Sequence, residues 1–188
     1  MKIVLLSGSI VGTKTSTAMH EVLRVVETQH PDAQTTLLDL ADYKLAFSDG
    51  RPFFDYNGDT KYVTETLMAA DAIIIGTPVF QASIPATLKN VFDLLPHEAF
   101  RDKVVGMVVT AGTAKHYLMA EQQLKPILAY MKAHIVPMYV FIEERDFDRT
   151  TIVNDDILFR IERLVEDTVM YVDAYANIRE LKDAAYGF

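Results

Sequence analysis

The chain has 188 residues, half of them hydrophobic, and a formal net charge of -8 at pH 7. This length is most simply one domain over residues 1–188, and no apolar run approaches the roughly 20 residues that span a bilayer. The acidic balance argues against nucleic acid or an anionic membrane as partner. The absence of cysteine excludes disulfides and thiolate chemistry and fits a cytoplasmic protein.

The segment Lys2–Thr17 predicts a strand, a hydroxyl-rich loop and the start of a helix. Its apolar run is typical of a strand buried on both faces, and the following helix shows a stripe of apolar residues with Ser16 or Thr17 expected as its cap. Free N–H groups at such a helix start can bind phosphate. The side-chain donors we expect there are Ser9, Thr13, Lys14, Thr15, Ser16 and Thr17.

Two better-known phosphate loops are absent from this segment, because it contains neither the P-loop motif nor the dinucleotide motif G-x-G-x-x-G. The alternative is a plain turn that binds nothing, since Ser, Thr and Gly are common in turns.

A second, more polar strand is predicted over Thr35–Leu40, and a long loop, Ala41–Asp59, follows it. The loop is rich in aromatic residues, including the run Phe53–Tyr56. These rings favour a lid or a subunit contact; the alternative is a loop that its own rings hold against the core.

The rest of the chain alternates strands with helices. The predicted strands are Ala72–Gly76, Lys103–Thr110 and Ile135–Ile142. The predicted helices start at Thr60, around Pro85, which is placed in the first turn, near Tyr117 and at Asn154 or Asp155. Pro126 should kink or bulge the third of these helices, which is expected to end near Ala133. Pro137 places the last strand at an edge or a bulge.

This alternation predicts an α/β fold, because parallel strands joined by right-handed crossovers need helices on both faces. The polar second strand and the proline-bearing fifth strand suit the edges. The prediction is therefore a flavodoxin-like, three-layer α/β/α domain with a five-stranded parallel sheet in the order 2-1-3-4-5.

Ligands of such sheets bind beyond the carboxyl ends of the strands, between strands one and three. The loops that meet there read SGSIVGTKTST, TPVFQAS and TAGTAKH. The first supplies phosphate donors, Phe80 of the second can face a flat ring, and the small residues of the third allow close approach of backbone N–H groups. A phosphate site beside a slot for a planar ring predicts flavin mononucleotide (FMN).

The stretches LSGSIVGTKTSTAM, GTPVFQASIPATLKNVFDLLP and TAGTAKHYLMAEQQLKPIL resemble the NAD(P)H-dependent FMN reductases. The similarity extends to about Asp146 and is greatest to the reductase components of two-component alkanesulfonate monooxygenases. It implies an oxidoreductase that uses FMN with NADPH or NADH, forms a homodimer or homotetramer, and supplies reduced flavin to a partner monooxygenase.

The resemblance also implies roles for individual residues. Ser9, Ser16 and Thr17 would hold the phosphate, and the flavin ring would be lined or flanked by Pro78, Val79, Phe80, Gln81, Ser83, Thr110, Gly112, Thr113 and His116. Family loops usually read G-S-x-R. Here Val11 takes the place of the arginine, so phosphate binding loses a charge unless Lys14 supplies it.

Two alternative functions remain: a quinone or azo-compound reductase that keeps its FMN, and a non-enzymatic, flavodoxin-like electron carrier. No catalytic side chain is predicted, because the flavin itself carries the chemistry. The acidic residues Glu143, Glu144, Asp146 and Asp148 indicate a solvated loop rather than metal ligands.

Overall fold

A computed structural model describes residues 1–186. Its strands are β1 (Lys2–Ser7), β2 (Gln34–Asp39), β3 (Ala72–Pro78), β4 (Val104–Ala111), β5 (His134–Ile135), β6 (Val140–Glu143), β7 (Phe147–Asp148) and β8 (Thr151–Ile152). Its α-helices are α1 (Lys14–Gln29), α2 (Gly58–Met68), α3 (Ala86–Leu94), α4 (Lys125–Tyr130) and α5 (Asp155–Tyr186). Within these residues no helix is long and apolar enough to cross a bilayer.

The main sheet is parallel in the order β2-β1-β3-β4, with β5 and β6 paired one after the other along the outer edge of β4. This confirms the predicted order 2-1-3-4-5. The expectation of one continuous fifth strand was wrong. Pro137 lies in the gap between β5 and β6, where a residue without a backbone N–H interrupts no ladder.

Helices cover both faces of this sheet, which confirms the three-layer prediction. Alternating residues of β1 enter two separate cores: Val4 packs in the core with residues of α2, α3 and α4, and Leu5 packs in the core with residues of α1 and α5. The central strands are buried on both sides for this reason, and their carboxyl ends open at one rim.

The predicted helix starts needed three corrections. Helix α1 begins at Lys14, so neither Ser16 nor Thr17 caps it, and Thr13 occupies the cap position without a side-chain capping bond. Helix α2 begins at Gly58 rather than at Thr60, and α3 begins at Ala86, so Pro85 is its cap and not part of its first turn. The cap of α5 was correctly predicted, because the N–H of Asp156 donates to Oδ1 of Asn154 at 3.0 Å.

The helix defect before Pro126 is confirmed. Residues Ala120–Leu124 form a π-helical turn, in which the N–H of Lys125 bonds to the carbonyl of Ala120, five residues earlier. Proline has no N–H to donate to Gln122, and the wider turn accommodates this loss. The helix predicted from about Tyr117 to Ala133 is confirmed with shorter bounds, because the π turn runs without a break into α4, which ends at Tyr130.

The aromatic loop divides into packed and exposed rings. Tyr56 is buried and donates its hydroxyl to Oδ1 of Asp49 at 2.9 Å, and Tyr43 packs against the core. Phe47 and Phe54 are 81% and 60% exposed. Tyr43 and Tyr56 fit a loop docked on the core. Phe47 and Phe54 are available for a subunit contact, which stays a prediction.

Candidate functional site

The loop after β1 is pressed against the end of β3. The N–H of Gly8 donates to the carbonyl of Gly76 at 2.8 Å, and a Cβ added to Gly8 would lie 2.9 Å from that same oxygen. Only glycine permits this approach without displacing the backbone. The contact therefore fixes where the phosphate loop stands relative to the end of β3.

The start of α1 has the features of an anion site. Its first intrahelical bond runs from the N–H of Thr17 to the carbonyl of Thr13, so the N–H groups of residues 14–16 have no acceptor within the helix. No acidic residue lies in the first turn, so no side chain of that turn compensates the positive end of the helix dipole. These N–H groups suit a phosphate.

The segment after β3 forms a tight turn at the rim. Phe80 and Ser83 exchange backbone hydrogen bonds at 2.9 Å in both directions, and Gln81 and Ala82 between them have φ of 50° and 60°. Two non-glycine residues in the left-handed region are strained. The turn holds the side chain of Phe80 at the surface, 40% exposed, and Oγ of Ser83 donates to Oε1 of Gln123 in the π turn.

The end of β4 connects the other two loops. The hydroxyls of Thr15 and Thr110 lie 2.7 Å apart and are buried, and the N–H of Val79 donates to the carbonyl of Thr110 at 3.1 Å. Beyond them, a Cβ added to Gly112 would meet nothing within 4 Å. The three loops predicted to converge therefore touch, with open space at Gly112.

Two adjoining clefts open at this rim. The smaller, about 400 Å³, is lined by seven of the predicted site residues: Lys14, Thr15, Pro78, Val79, Phe80, Thr110 and Gly112. The larger, about 790 Å³, is lined by three more: Ser9, Ser16 and Thr17. Gly12 and Thr13 line both, so the loop before α1 separates the two.

Four predicted residues line neither cleft: Gln81, Ser83, Thr113 and His116. The backbone turn explains the first two, because Gln81 is in the turn itself and the hydroxyl of Ser83 bonds to the π turn. Thr113 and His116 are both exposed. Thr113 precedes the 3₁₀ turn that follows β4, and His116 lies in that turn. Their flavin contacts stay predictions.

Lys14 and Glu144 form an ion pair across the smaller cleft, which both residues line. The ammonium also lies 5.7 Å from the centre of the Phe147 ring. The run of acidic residues predicts a solvated loop around Glu144 and does not predict this ion pair. The available signal was that Glu144 follows β6, whose carboxyl end lies at the same rim.

Asp146 also corrects the solvated-loop interpretation, because it is buried. Its two carboxylate oxygens accept from the N–H of Glu143 at 2.8 Å and from the amide of Asn154 at 2.7 Å. It thus ties β6 to the start of α5. Within residues 1–186, no group of three or more acidic or histidine side chains is arranged to hold a metal ion.

These residues fit a flavin nucleotide. Free helix N–H groups and hydroxyls can hold its phosphate, and the smaller cleft is lined both by the exposed ring of Phe80 and by Gly112, which has open space beside it. A parallel α/β/α sheet with ligand loops at the switch point between β1 and β3 defines a flavodoxin-like protein with a nucleotide site.

The chain belongs to the NADPH-dependent FMN reductase family, whose sequence profile matches residues 1–147. It is therefore an oxidoreductase that uses FMN and a nicotinamide nucleotide. An NAD(P)H-dependent FAD/FMN reductase of Geobacillus thermodenitrificans is 41% identical over 170 residues, which are 90% of this chain and 92% of that protein.

Two further comparisons agree with this assignment. An NADH-dependent FMN reductase of Pseudomonas putida is 26% identical over 170 residues, covering 90% of this chain and 91% of the relative. The crystal structure of an NADH:FMN oxidoreductase in its apo form superposes with a TM-score of 0.77 at 24% identity, over 90% of this chain and 89% of the other. The likeness to this crystal structure shows a shared fold.

Proposed function

We propose that the smaller cleft holds the FMN ring, with the phosphate at the start of α1 and Pro78, Val79, Phe80 and Gly112 around the ring. The observation that carries this proposal is that the cap of α1, Thr13, and its first two residues, Lys14 and Thr15, line the smaller cleft. A ligand with its ring in the cleft can thus place a phosphate on the free N–H groups of α1.

When bound, FMN supplies the redox chemistry, because its ring accepts a hydride from the nicotinamide and later passes electrons on. The contribution of the chain is to bind and orient. Phe80, 40% exposed at the rim, offers a flat surface to a ring. Backbone N–H groups around Gly112 can stabilise negative charge on a reduced ring.

The cleft is open at the rim, and this favours a flavin that exchanges with solution and is delivered to a partner monooxygenase.

We also propose a homodimer or homotetramer, with Phe47 and Phe54 as contact residues because both rings are largely exposed. The cytoplasm is the proposed location, since the chain contains no cysteine.

The first experiment measures NADH and NADPH oxidation by the flavin-free protein with added FMN. We expect absorbance at the nicotinamide band to fall only when FMN is present. A failure of both nicotinamides would contradict the proposal. If FMN co-purifies and an azo dye or quinone is turned over without free flavin, the alternative with retained FMN is correct.

The variant Gly112→Leu tests whether the FMN ring lies in the smaller cleft. Gly112→Leu should fill the smaller cleft without a clash, because nothing lies within 4 Å of its added Cβ. We expect FMN affinity to fall by about tenfold or more, the effect of roughly 1.4 kcal/mol, with an unchanged melting temperature. Ala69→Leu, on an exposed helix end, is the matched control. Unchanged FMN binding in Gly112→Leu would place the ring elsewhere.

A further inference from the structure

Two walls flank the smaller cleft, and they belong to opposite faces of the sheet. The loop after β1 leads into α1 and the segment after β6 leads into α5, and both helices pack on the face that contains Leu5. The segments after β3 and β4 lead into α3 and α4, on the face that contains Val4. A nicotinamide nucleotide that stacks on a flavin ring between these walls must extend along one of them.

The two walls differ in charge. The segment after β6 carries four acidic residues and one arginine between positions 143 and 148, and the side chain of Glu144, 65% exposed, lines the cleft itself. The segment 103–120, which holds β4 and the loop after it, contains no acidic residue, although the whole chain has a net charge of -8. The phosphates of a nucleotide are therefore repelled by the first wall and attracted to the second.

Lys115 is the uncompensated cation of the second wall. It is exposed, it lies in the 3₁₀ turn that follows β4, and it forms no ion pair within residues 1–186. Lys14 on the first wall is already paired with Glu144. Lys125, at the start of α4, is paired with Glu121 at 2.6 Å. An anion that reaches the second wall therefore finds its free ammonium at Lys115.

The far end of the same loop presents a fixed aromatic ring. The carbonyl of Tyr117 accepts a hydrogen bond from the hydroxyl of Tyr139 at 2.6 Å. The ring of Tyr117 packs against the rings of Tyr139 and Phe141, with centres 5.4 Å apart in both pairs. Tyr117 is nevertheless 42% exposed. An exposed ring held in this way offers adenine a surface on which to stack.

NADPH differs from NADH in a phosphate on the 2′-hydroxyl of its adenosine. We propose that the loop of residues 112–117 binds the adenosine end of the nicotinamide nucleotide and that Lys115 binds its 2′-phosphate, so that this lysine gives a preference for NADPH. The inference rests on the proposed function, because the nicotinamide is taken to stack on a flavin ring in the smaller cleft. Gly112 lines that cleft, and Lys115 lies three residues farther on, up to about 10 Å along an extended backbone. The lysine thus stands away from the ring, as the adenosine end does.

The first test compares NADPH and NADH as substrates at saturating FMN. Lys115→Gln keeps a long polar side chain and removes the charge, so we expect kcat/KM for NADPH to fall about five- to tenfold through a higher KM. The value for NADH should change by less than about twofold, because NADH has no 2′-phosphate. Lys115→Glu should lower the use of NADPH further, since a carboxylate repels the phosphate.

Arg149→Gln is the matched control for the loss of one positive charge. Arg149 is also exposed and forms no ion pair within residues 1–186, but it follows Asp148 on the acidic wall. We expect this variant to keep the wild-type ratio of kcat/KM for NADPH to that for NADH. An unchanged ratio in both Lys115 variants would overturn the inference, and so would an equal fall of the ratio in Arg149→Gln.

A binding measurement separates this inference from the proposed function. Adenosine 2′,5′-bisphosphate carries the 2′-phosphate, and adenosine 5′-monophosphate lacks it. In titration calorimetry with FMN present, we expect the wild type to bind the bisphosphate more tightly and Lys115→Gln to bind the two nucleotides equally. Equal binding of both by the wild type would overturn the inference. Selective binding of the bisphosphate by a protein that oxidises neither nicotinamide would refute the proposed function and still support the role of Lys115.

Discussion

The two ends of the main sheet differ in how completely their polar groups are bonded. At the amino end, the N–H of Lys2 donates to Asp71 at 2.7 Å, and the ammonium of Lys103 donates to the carbonyls of Met68 and Ala70, both at 2.8 Å. The ring of His134 stacks on Tyr175 with centres 3.7 Å apart. Contacts within the chain close most of this end, and the Nε2 of His30, at the end of α1, is a buried atom there without a partner within residues 1–186.

At the carboxyl end, the same strands leave groups unused. The Oγ of Ser7 has no partner within residues 1–186, the N–H groups at the start of α1 have no intrahelical acceptor, and Gln81 and Ala82 hold strained conformations. Strained backbone also occurs at the amino end, where Asp102 and Lys132 have φ of 63° and 70°, so strain alone does not mark the site. What sets the carboxyl end apart is that its unpaired groups line two clefts.

The largest expected effect is that of Gly8→Ala, which should damage both stability and binding. The added Cβ would lie 2.9 Å from the carbonyl oxygen of Gly76 and 3.0 Å from Leu88. We expect a loss of about 1–3 kcal/mol in the free energy of unfolding and weaker FMN binding, because the phosphate loop must move. Urea unfolding and FMN titration measure the two effects. Wild-type FMN affinity in this variant would contradict the proposed role of the loop.

Lys103→Met, at the amino end, should lower stability without changing FMN binding at the carboxyl end. Burial lowers the pKa of this lysine, and its ammonium is bonded to two carbonyls that the variant leaves unpaired. We expect a loss of about 1–3 kcal/mol in unfolding free energy and unchanged FMN affinity. A change in FMN affinity comparable to that of Gly8→Ala would show that the two ends are not independent.

Glu144→Gln tests whether the ion pair at the carboxyl end keeps Lys14 from binding a phosphate. Lys14 now pairs with Glu144, and removal of the carboxylate frees the ammonium for a phosphate. Ion pairs at exposed sites are worth about 0.2–1 kcal/mol, so we expect FMN affinity to rise up to about fivefold. Lys14→Met should have the opposite effect. A fall in affinity in both variants would mean that the ion pair itself shapes the site.

The smallest effect concerns pH at the amino end. Burial lowers the pKa of His134, with Asp102 opposing and Arg179 and Lys182 reinforcing the shift. The unfolded chain therefore takes up the proton first, so stability is full above about pH 6.5 and falls as pH drops below it. The melting temperature of wild type should fall more between pH 7.5 and 5.5 than that of His134→Phe. Equal falls would contradict this.

Local pattern was sufficient for much of the fold. The order of strands followed from apolar runs and from the polar or proline-bearing edge strands, because burial on two faces demands continuous hydrophobicity. The π turn followed from Pro126 alone, since a missing N–H is a covalent property. The three site loops followed because strand ends in a parallel sheet share one rim.

Other features depended on contacts between distant segments. Glu144 reaches Lys14 across 130 positions, and Asp146 is buried by Asn154 and the turn around it, so neither role is visible in a local pattern of acidic residues. The start of α1 was misplaced because a hydroxyl run offers several possible caps.

Periodicity, covalent constraints and motif were enough to predict the flavodoxin-like sheet, the family and the residues of the three loops. The folded chain was needed to see that the loop before α1 separates two clefts, and that Ser7 and Asp39 both line the larger one. Those facts depend on how separate strands are placed in register, which long-range packing sets and no single segment encodes.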